Sequence, residues 1–293
     1  MTLLIAVFGL FHPQLLTVRP AGESPVHIVS PQKRELHGRE SIEIRTGARL
    51  EGDFILAVPG RMERRYQGIL DIRQKDLELV AILNVDLEAA VAAVVAAEMP
   101  SSFPLEARKA QAIAARGWYV SSRGRRHREY DFCDTTHCQV FKESAAADTS
   151  PLILHYKGEP FATLYSASCG GVTMNAAEAG MNSEPYPYFR VKCEEHAPEW
   201  ERRFAGNDAD SIALRPHSES IRISICRRLG WDALPGNNYT INRGENEMVL
   251  RGRGRGHGLG LCQQGAAAMA LRGLKAAQII DHYYPNTTQA AMR

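Results

Sequence analysis

The sequence has almost no charge excess. Its 35 Lys and Arg face 33 Asp and Glu, a formal balance of +2, which excludes the dense basic surface of a dedicated nucleic-acid binder. Long hydrophobic runs are lacking at the N-terminus as well. The apolar stretch 3–11 is too short to span a bilayer. No Lys or Arg precedes it and no clear small-x-small cleavage site follows, so it reads as a buried first strand rather than a signal peptide. There is no Gly-x4-Gly-Lys-Ser/Thr loop and no Gly-x-Gly-x-x-Gly fingerprint, which excludes the common nucleotide folds. The Gly-x-Ser-x-Gly elbow of serine hydrolases is absent too. With neither repeats nor a low-complexity linker, the 293 residues form one large domain or two intimate ones.

What the sequence does have is a glycine alternation. Gly252, Gly254, Gly256, Gly258 and Gly260 occupy every second position, with Arg253, Arg255 and His257 between them, and an Ala-rich helical run follows. Glycines so placed cost roughly 0.5–1 kcal/mol each relative to Ala. The run predicts a loop whose backbone approaches something closely, or else a tight structural turn without chemistry.

Residues 1–85 read as β-rich, with apolar runs at 5–8, 26–29, 41–45 and 54–58 and a hairpin formed by 66–73 and 77–85. Asp86 is placed as the N-cap of a helix Leu87–Glu98, which Pro100 stops. A second helix over 105–120 carries Ala110, Ile113, Ala114, Gly117 and Trp118 on one face. The basic stretch Arg123, Arg125, Arg126 and Arg128 is a solvated surface or a contact for an anionic polymer. Residues 173–205 read as irregular, anchored by Tyr186, Tyr188, Trp200 and Phe204. An amphipathic helix is expected within 211–229, strands near 239–242 and 247–251, and helices over Gln263–Leu271 and 274–283. The fold class is therefore α+β: a β-rich N-terminal part, a helix pair and mixed strands, as one compact unit or two intimate subdomains around a groove.

Three places carry candidate chemistry. Glu98 ends an apolar helix at the negative end of its macrodipole, where a carboxylate is disfavoured by roughly 0.3–1 kcal/mol. Apolar neighbours would desolvate it, and both effects favour the protonated form that a general acid needs near neutral pH. The alternative is an exposed Glu at a frayed helix end. His127, Cys133, His137 and Cys138 bring two imidazoles and two thiols into a short span. This donor set suits tetrahedral zinc, although the spacing departs from Cys-x2-Cys. A Cys133–Cys138 disulfide or unligated buried groups are the alternatives. Tyr165, Ser166 and Ser168 approach the turn at Gly170 and Gly171, an edge able to hydrogen-bond a hydroxyl-rich ligand, or a plain strand ending in a turn. Cys169 as a nucleophile would need His257 or His196 as its base, and no spacing supports that pairing. The remaining cysteines are buried thiols, a disulfide or a mixture.

Taken together, four stretches in fixed order resemble the SpoIID/LytB-like (stage II sporulation protein D) family. They are Val94-Val95-Ala96-Ala97-Glu98-Met99-Pro100 with the helix from Leu105 to Arg116; Asp134-Thr135-Thr136-His137-Cys138-Gln139-Val140-Phe141; Tyr165-Ser166-Ala167-Ser168-Cys169-Gly170-Gly171; and the loop from Gly254 to Ala266. His282-Tyr283-Tyr284-Pro285 resembles the family's ending. The resemblance covers about residues 65–288. It leaves 1–64 as a β-rich N-terminal extension packed on a SpoIID-like catalytic domain over 65–293.

The resemblance implies a peptidoglycan lytic transglycosylase acting on peptide-stripped glycan strands, with Glu98 as acid and then base. It implies substrate contacts from Tyr165, Ser166, Ser168, Gly170, His257 and Gln263, with the glycine loop lining a glycan groove. A structural zinc held by Cys133, His137, Cys138 and His127 is also implied. So are an exported, envelope location and an amidase or other wall hydrolase as partner, with no nucleic acid and no nucleotide. A wall-binding module that stimulates an amidase is the non-catalytic alternative. The family's loop commonly continues Met-Ser-Gln-aromatic, whereas this chain has Leu261-Cys262-Gln263-Gln264. Sugar stacking from position 264 is thereby lost.

Overall fold

The computed structural model describes residues 1–135, 138, 151–181, 188–195, 197–245 and 247–292. His137, Tyr186 and His196 lie outside the described residues. The chain is α+β and forms two compact units, one of Met1–Pro100 with Ser122–Asp148, the other of Ser101–Ser121 with Thr149–Arg293. Residue 64 marks no structural break, because it falls inside the strand Met62–Lys75. That strand pairs along its length with Ala48–Val58 before it and Glu78–Asp86 after it. Hydrogen bonding is continuous across the position where the resemblance begins.

In the first unit the described strands form a nine-stranded sheet. Its centre is the antiparallel meander Ala48–Val58, Met62–Lys75 and Glu78–Asp86. The N-terminal strand Thr2–Val7 joins the meander antiparallel, Thr2 opposite Asp86, and on its other side meets Phe132–Cys133 in parallel. The near-continuous apolar character of 79–85 follows from this interior position, with a neighbour on each side. Where Glu78–Asp86 ends, helix α1 (Leu87–Glu98) begins. The Asp86 side chain accepts from the Glu88 N–H at 2.8 Å, satisfying one of the four free donors of the first turn. Leu87 and Ala90 through Val95 are all buried. The helix ends at Glu98 because Pro100 cannot continue it.

In the second unit, helix α2 (Leu105–Ser122) buries Ala110, Gln111, Ile113, Ala114, Arg116 and Trp118. Gly117 is small by necessity, since a Cβ there would meet Thr163 Oγ1 at 2.5 Å. The Arg116 guanidinium donates to the Leu152 carbonyl at 3.1 Å, at the start of the strand Leu152–Tyr156, which pairs with Thr288–Ala291. A three-stranded antiparallel sheet is built from Glu199–Phe204, Met248–Arg253 and Tyr239–Arg243, with Met248–Arg253 in the middle. Against it pack α3 (Gly206–Leu214) and α4 (Glu219–Leu229), through Ile212, Ile225, Cys226 and Leu234.

The helix expected within 211–229 is α4, and α3 ends at Leu214 because Arg215 precedes Pro216 and is pushed out of the α region. Residues 199–204, expected to be irregular, form a strand. Its outward Glu201 and Arg203 are paired in ladder fashion with Arg251 at 2.8 Å and Glu247 at 2.5 Å. Two further helices close the unit, α5 (Gln263–Leu271) and α6 (Ala276–Tyr283). Among the described residues no helix is long and apolar enough to cross a membrane.

Candidate functional site

Glu98 is the last residue of α1 and is half-buried. The backbone N–H of Met99 closes the final turn onto the Val95 carbonyl at 2.8 Å. Met99 is itself fully buried, so the Glu-Met-Pro corner is anchored by a side chain in the core. Glu98 thus sits at the C-terminal end of the helix, the negative pole of its macrodipole, one turn after the buried Val94 and Val95.

The same unit gathers three of the four expected metal donors. His127, Cys133 and Cys138 have ligand atoms within 4.8 Å of one another, with His127 Nε2 3.3 Å from Cys138 Sγ. Position follows from the sheet: Cys133 pairs with Ala6, and the flanking acids fix the segment. Asp131 accepts from the Leu4 N–H at 2.9 Å and Asp134 from the Phe8 N–H at 3.2 Å. Arg64 also pairs with Asp134 at 3.0 Å. Burial nevertheless raises the Asp134 pKa, against these stabilising partners. One imidazole and two thiols are soft donors of the kind zinc prefers.

In the second unit the glycine loop and the Tyr165–Gly171 stretch are directly paired. Tyr165 and Ser166 lie parallel to Leu261 and Cys262, and Ser168 bridges Arg255 through two backbone hydrogen bonds of 3.2 and 2.8 Å. Gly254, Gly256, Gly258 and Gly260 all have positive φ. At Gly254 φ is +81° and a Cβ would sit 2.5 Å from the Ser168 carbonyl oxygen. The close approach that the alternation predicts is therefore to the protein's own strand end.

The intervening side chains are engaged. Arg253 pairs with Glu199, and Arg255 with Asp232 at 2.6 Å. His257 Nδ1 accepts from the Leu259 N–H at 3.1 Å, and the ring also hydrogen-bonds backbone of Tyr165. This assigns the neutral tautomer with the proton on Nε2. Burial holds its pKa below the usual 6.5, an effect opposed by Glu219. His257 thus ties the loop to its own backbone at Leu259 and to the neighbouring strand end at Tyr165.

Beside the loop lies a cleft of about 600 Å³ bounded by Ser168, Glu195, Trp200, Gly254, Arg255 and Gln264, among others. A second hollow of about 560 Å³ flanks Gly170, Trp200 and Arg253. Of the residues expected to bind substrate, Ser168 and Gly170 line these hollows. Tyr165 is half-buried in its strand pairing and Ser166 is buried, its Oγ without a partner among the described residues. Gln263 is buried too, its Nε2 3.5 Å from Gln111 Oε1. It is Gln264, one residue on, that faces the cleft, because the first turn of α5 rotates Gln263 inward.

The residue that sequence reasoning missed is Trp200. Its indole donates to the Gly254 carbonyl at 3.1 Å and its ring forms part of the cleft wall. The period-two alternation Trp200, Arg202, Phe204 carries the signal.

A family model described as stage II sporulation protein (SpoIID) matches residues 75–158. That span holds the last strand of the meander, Glu98, α2 and the Cys/His segment. The stage II sporulation protein D of Bacillus amyloliquefaciens is 27% identical over 256 residues, covering 70% of this chain and 74% of the relative. The protein of the same name from Bacillus subtilis is 26% identical over 260 residues, with 71% and 75% covered. An amidase enhancer of B. subtilis is 30% identical over 125 residues, 40% of this chain but only 17% of that protein. Motif order, the Glu-Met-Pro corner and the glycine loop all accord with this similarity to the SpoIID/LytB-like family.

Proposed function

We propose that the protein is a peptidoglycan lytic transglycosylase that cleaves MurNAc–GlcNAc bonds in peptide-stripped glycan strands, with Glu98 as its catalytic residue. The observation that carries the reading is the position of that carboxylate, half-buried at the negative end of an apolar helix in a corner locked by Met99. In this role the acid carries a proton before reaction. Glu98 donates it to the bridging oxygen as the C1–O bond breaks. The resulting carboxylate then takes the proton of the muramoyl 6-hydroxyl as that oxygen attacks C1. One carboxyl acts twice, so the paired carboxylates of most glycosidases are not required. The cleft beside the glycine loop supports a sugar ligand, because it combines an indole wall with Ser168, Gln264 and backbone groups.

His127, Cys133 and Cys138 are the described residues that would hold zinc, which would cross-link the segment after α2 to the sheet and supply no step of the reaction. The relatives' names fit a cell-wall-related role and an extracytoplasmic or envelope location.

A second reading has its own support: the similarity to an amidase enhancer favours a wall-binding module that stimulates an amidase partner. Product analysis separates the readings. Mass spectrometry of denuded glycan after incubation should show 1,6-anhydromuramoyl ends for the transglycosylase. Reducing ends sensitive to chelation would mean a zinc hydrolase, and intact but bound strands the non-catalytic module.

A further inference from the structure

Three cysteines far apart in sequence meet in the second unit. The sulfurs of Cys169, Cys193 and Cys262 and a carboxylate oxygen of Glu195 all lie within 4.8 Å of one another, and all four residues are buried. We propose that these residues form a second metal site, a Cys3Glu zinc centre.

The geometry suits the ion. Two thiolates at ~2.3 Å from a tetrahedral zinc lie about 3.8 Å apart, within the observed spread, and four donors close the coordination shell. The surroundings are those of bound thiolates rather than packed thiols. Cys262 Sγ accepts backbone N–H bonds from Cys169 and Gly265, both at 3.3 Å, and caps the N-terminus of α5, where negative charge is favoured. Cys193 Sγ lies 3.1 Å from Tyr283 Oη. Gly265 leaves the room for this: a Cβ there would run into both Cys193 Sγ and Tyr283 Oη.

Glu195 takes the Gly170 N–H at 2.5 Å and the Ser168 hydroxyl at 3.0 Å, both on Oε1. It has no Lys, Arg or His partner among the described residues. A buried carboxylate beside three thiols is costly without a cation. Cys226 is the contrast, a buried thiol among Ile212, Ile225 and Leu234 with no cluster of metal donors around it among the described residues. A disulfide would join two of the three sulfurs and leave the third, with the carboxylate, unexplained.

The ion would staple the segments that carry Ser168, Glu195 and Gln264, which bound the cleft. The inference does not rest on the transglycosylase reading.

The test uses the full chain with Cys133→Ser and Cys138→Ser, so that the first cluster cannot contribute. Elemental analysis after growth with zinc and desalting under reducing, chelator-free conditions should find one zinc per chain. X-ray absorption should show a first shell of three sulfurs and one lighter atom. Adding Cys193→Ser should abolish the bound zinc, whereas adding Cys226→Ser should leave it. Should Cys193→Ser not fold, the absorption spectrum of the parent still decides. A parent without zinc, a shell poor in sulfur, or a disulfide among Cys169, Cys193 and Cys262 in its peptide mass spectrum overturns the assignment.

Discussion

Substituting Gly254 by Ala tests the account of the glycine loop. The added methyl meets two penalties. At φ +81° an L-residue costs roughly 1–2 kcal/mol. Its Cβ would also lie 2.5 Å from the Ser168 carbonyl oxygen, 2.7 Å from the Gly170 nitrogen and 2.8 Å from the Cys169 carbonyl carbon. All are backbone atoms that cannot swing aside, and overpacking of this kind costs about 1–3 kcal/mol. Together the two come to about 2–5 kcal/mol. For a unit of roughly 150–250 residues, each kcal/mol moves the melting temperature by about 2–4 °C, so the fall should be roughly 4–20 °C. Gly273 is the control, with φ +93° and nothing within 4 Å of its Cβ position, so Gly273→Ala isolates the conformational share. Calorimetric melting of both variants decides. The reasoning is refuted if Gly254→Ala melts no lower than Gly273→Ala.

Other consequences follow from the same geometry. Trp200→Phe keeps a ring in the cleft but loses the indole bond to the Gly254 carbonyl; it should cost about 1 kcal/mol by denaturant titration. Trp200→Ala should additionally weaken retention on denuded glycan, and unchanged retention would remove Trp200 from the binding surface. Because His257 is held below its usual 6.5 by burial, it stays neutral in the folded chain where the unfolded chain takes up a proton. The stability tied to it is complete above the unfolded value and is lost as pH falls through 6.5 toward the folded one. Denaturant midpoints between about pH 7 and pH 5 should therefore fall less steeply in His257→Gln than in the parent; equal slopes would contradict the neutral ring.

Much of this was legible where the physics is local. Helix α1 could be bounded to the residue, because Asp86 caps it and Pro100 ends it. The hairpin before it was legible from period and turn, and the glycine alternation identified a close backbone approach. The alternation did not name its partner, since Ser168 lies far from Gly254 in sequence. The strand Glu199–Phe204 escaped notice because its alternation mixes Trp with Arg. The inward turn of Gln263 depends on where α5 starts, which no single residue type announces. Least legible was the meeting of Cys169, Cys193 and Cys262, separated by long stretches that carry no metal-binding spacing.

The central claim is that Glu98 performs the chemistry. Denuded glycan strands should be incubated with the parent chain and with Glu98→Gln, and the soluble products and the protein retained on the strands measured together. The account predicts 1,6-anhydromuramoyl fragments from the parent, none from Glu98→Gln, and equal retention of both. The same anhydro fragments from Glu98→Gln, or none from either chain, would contradict it.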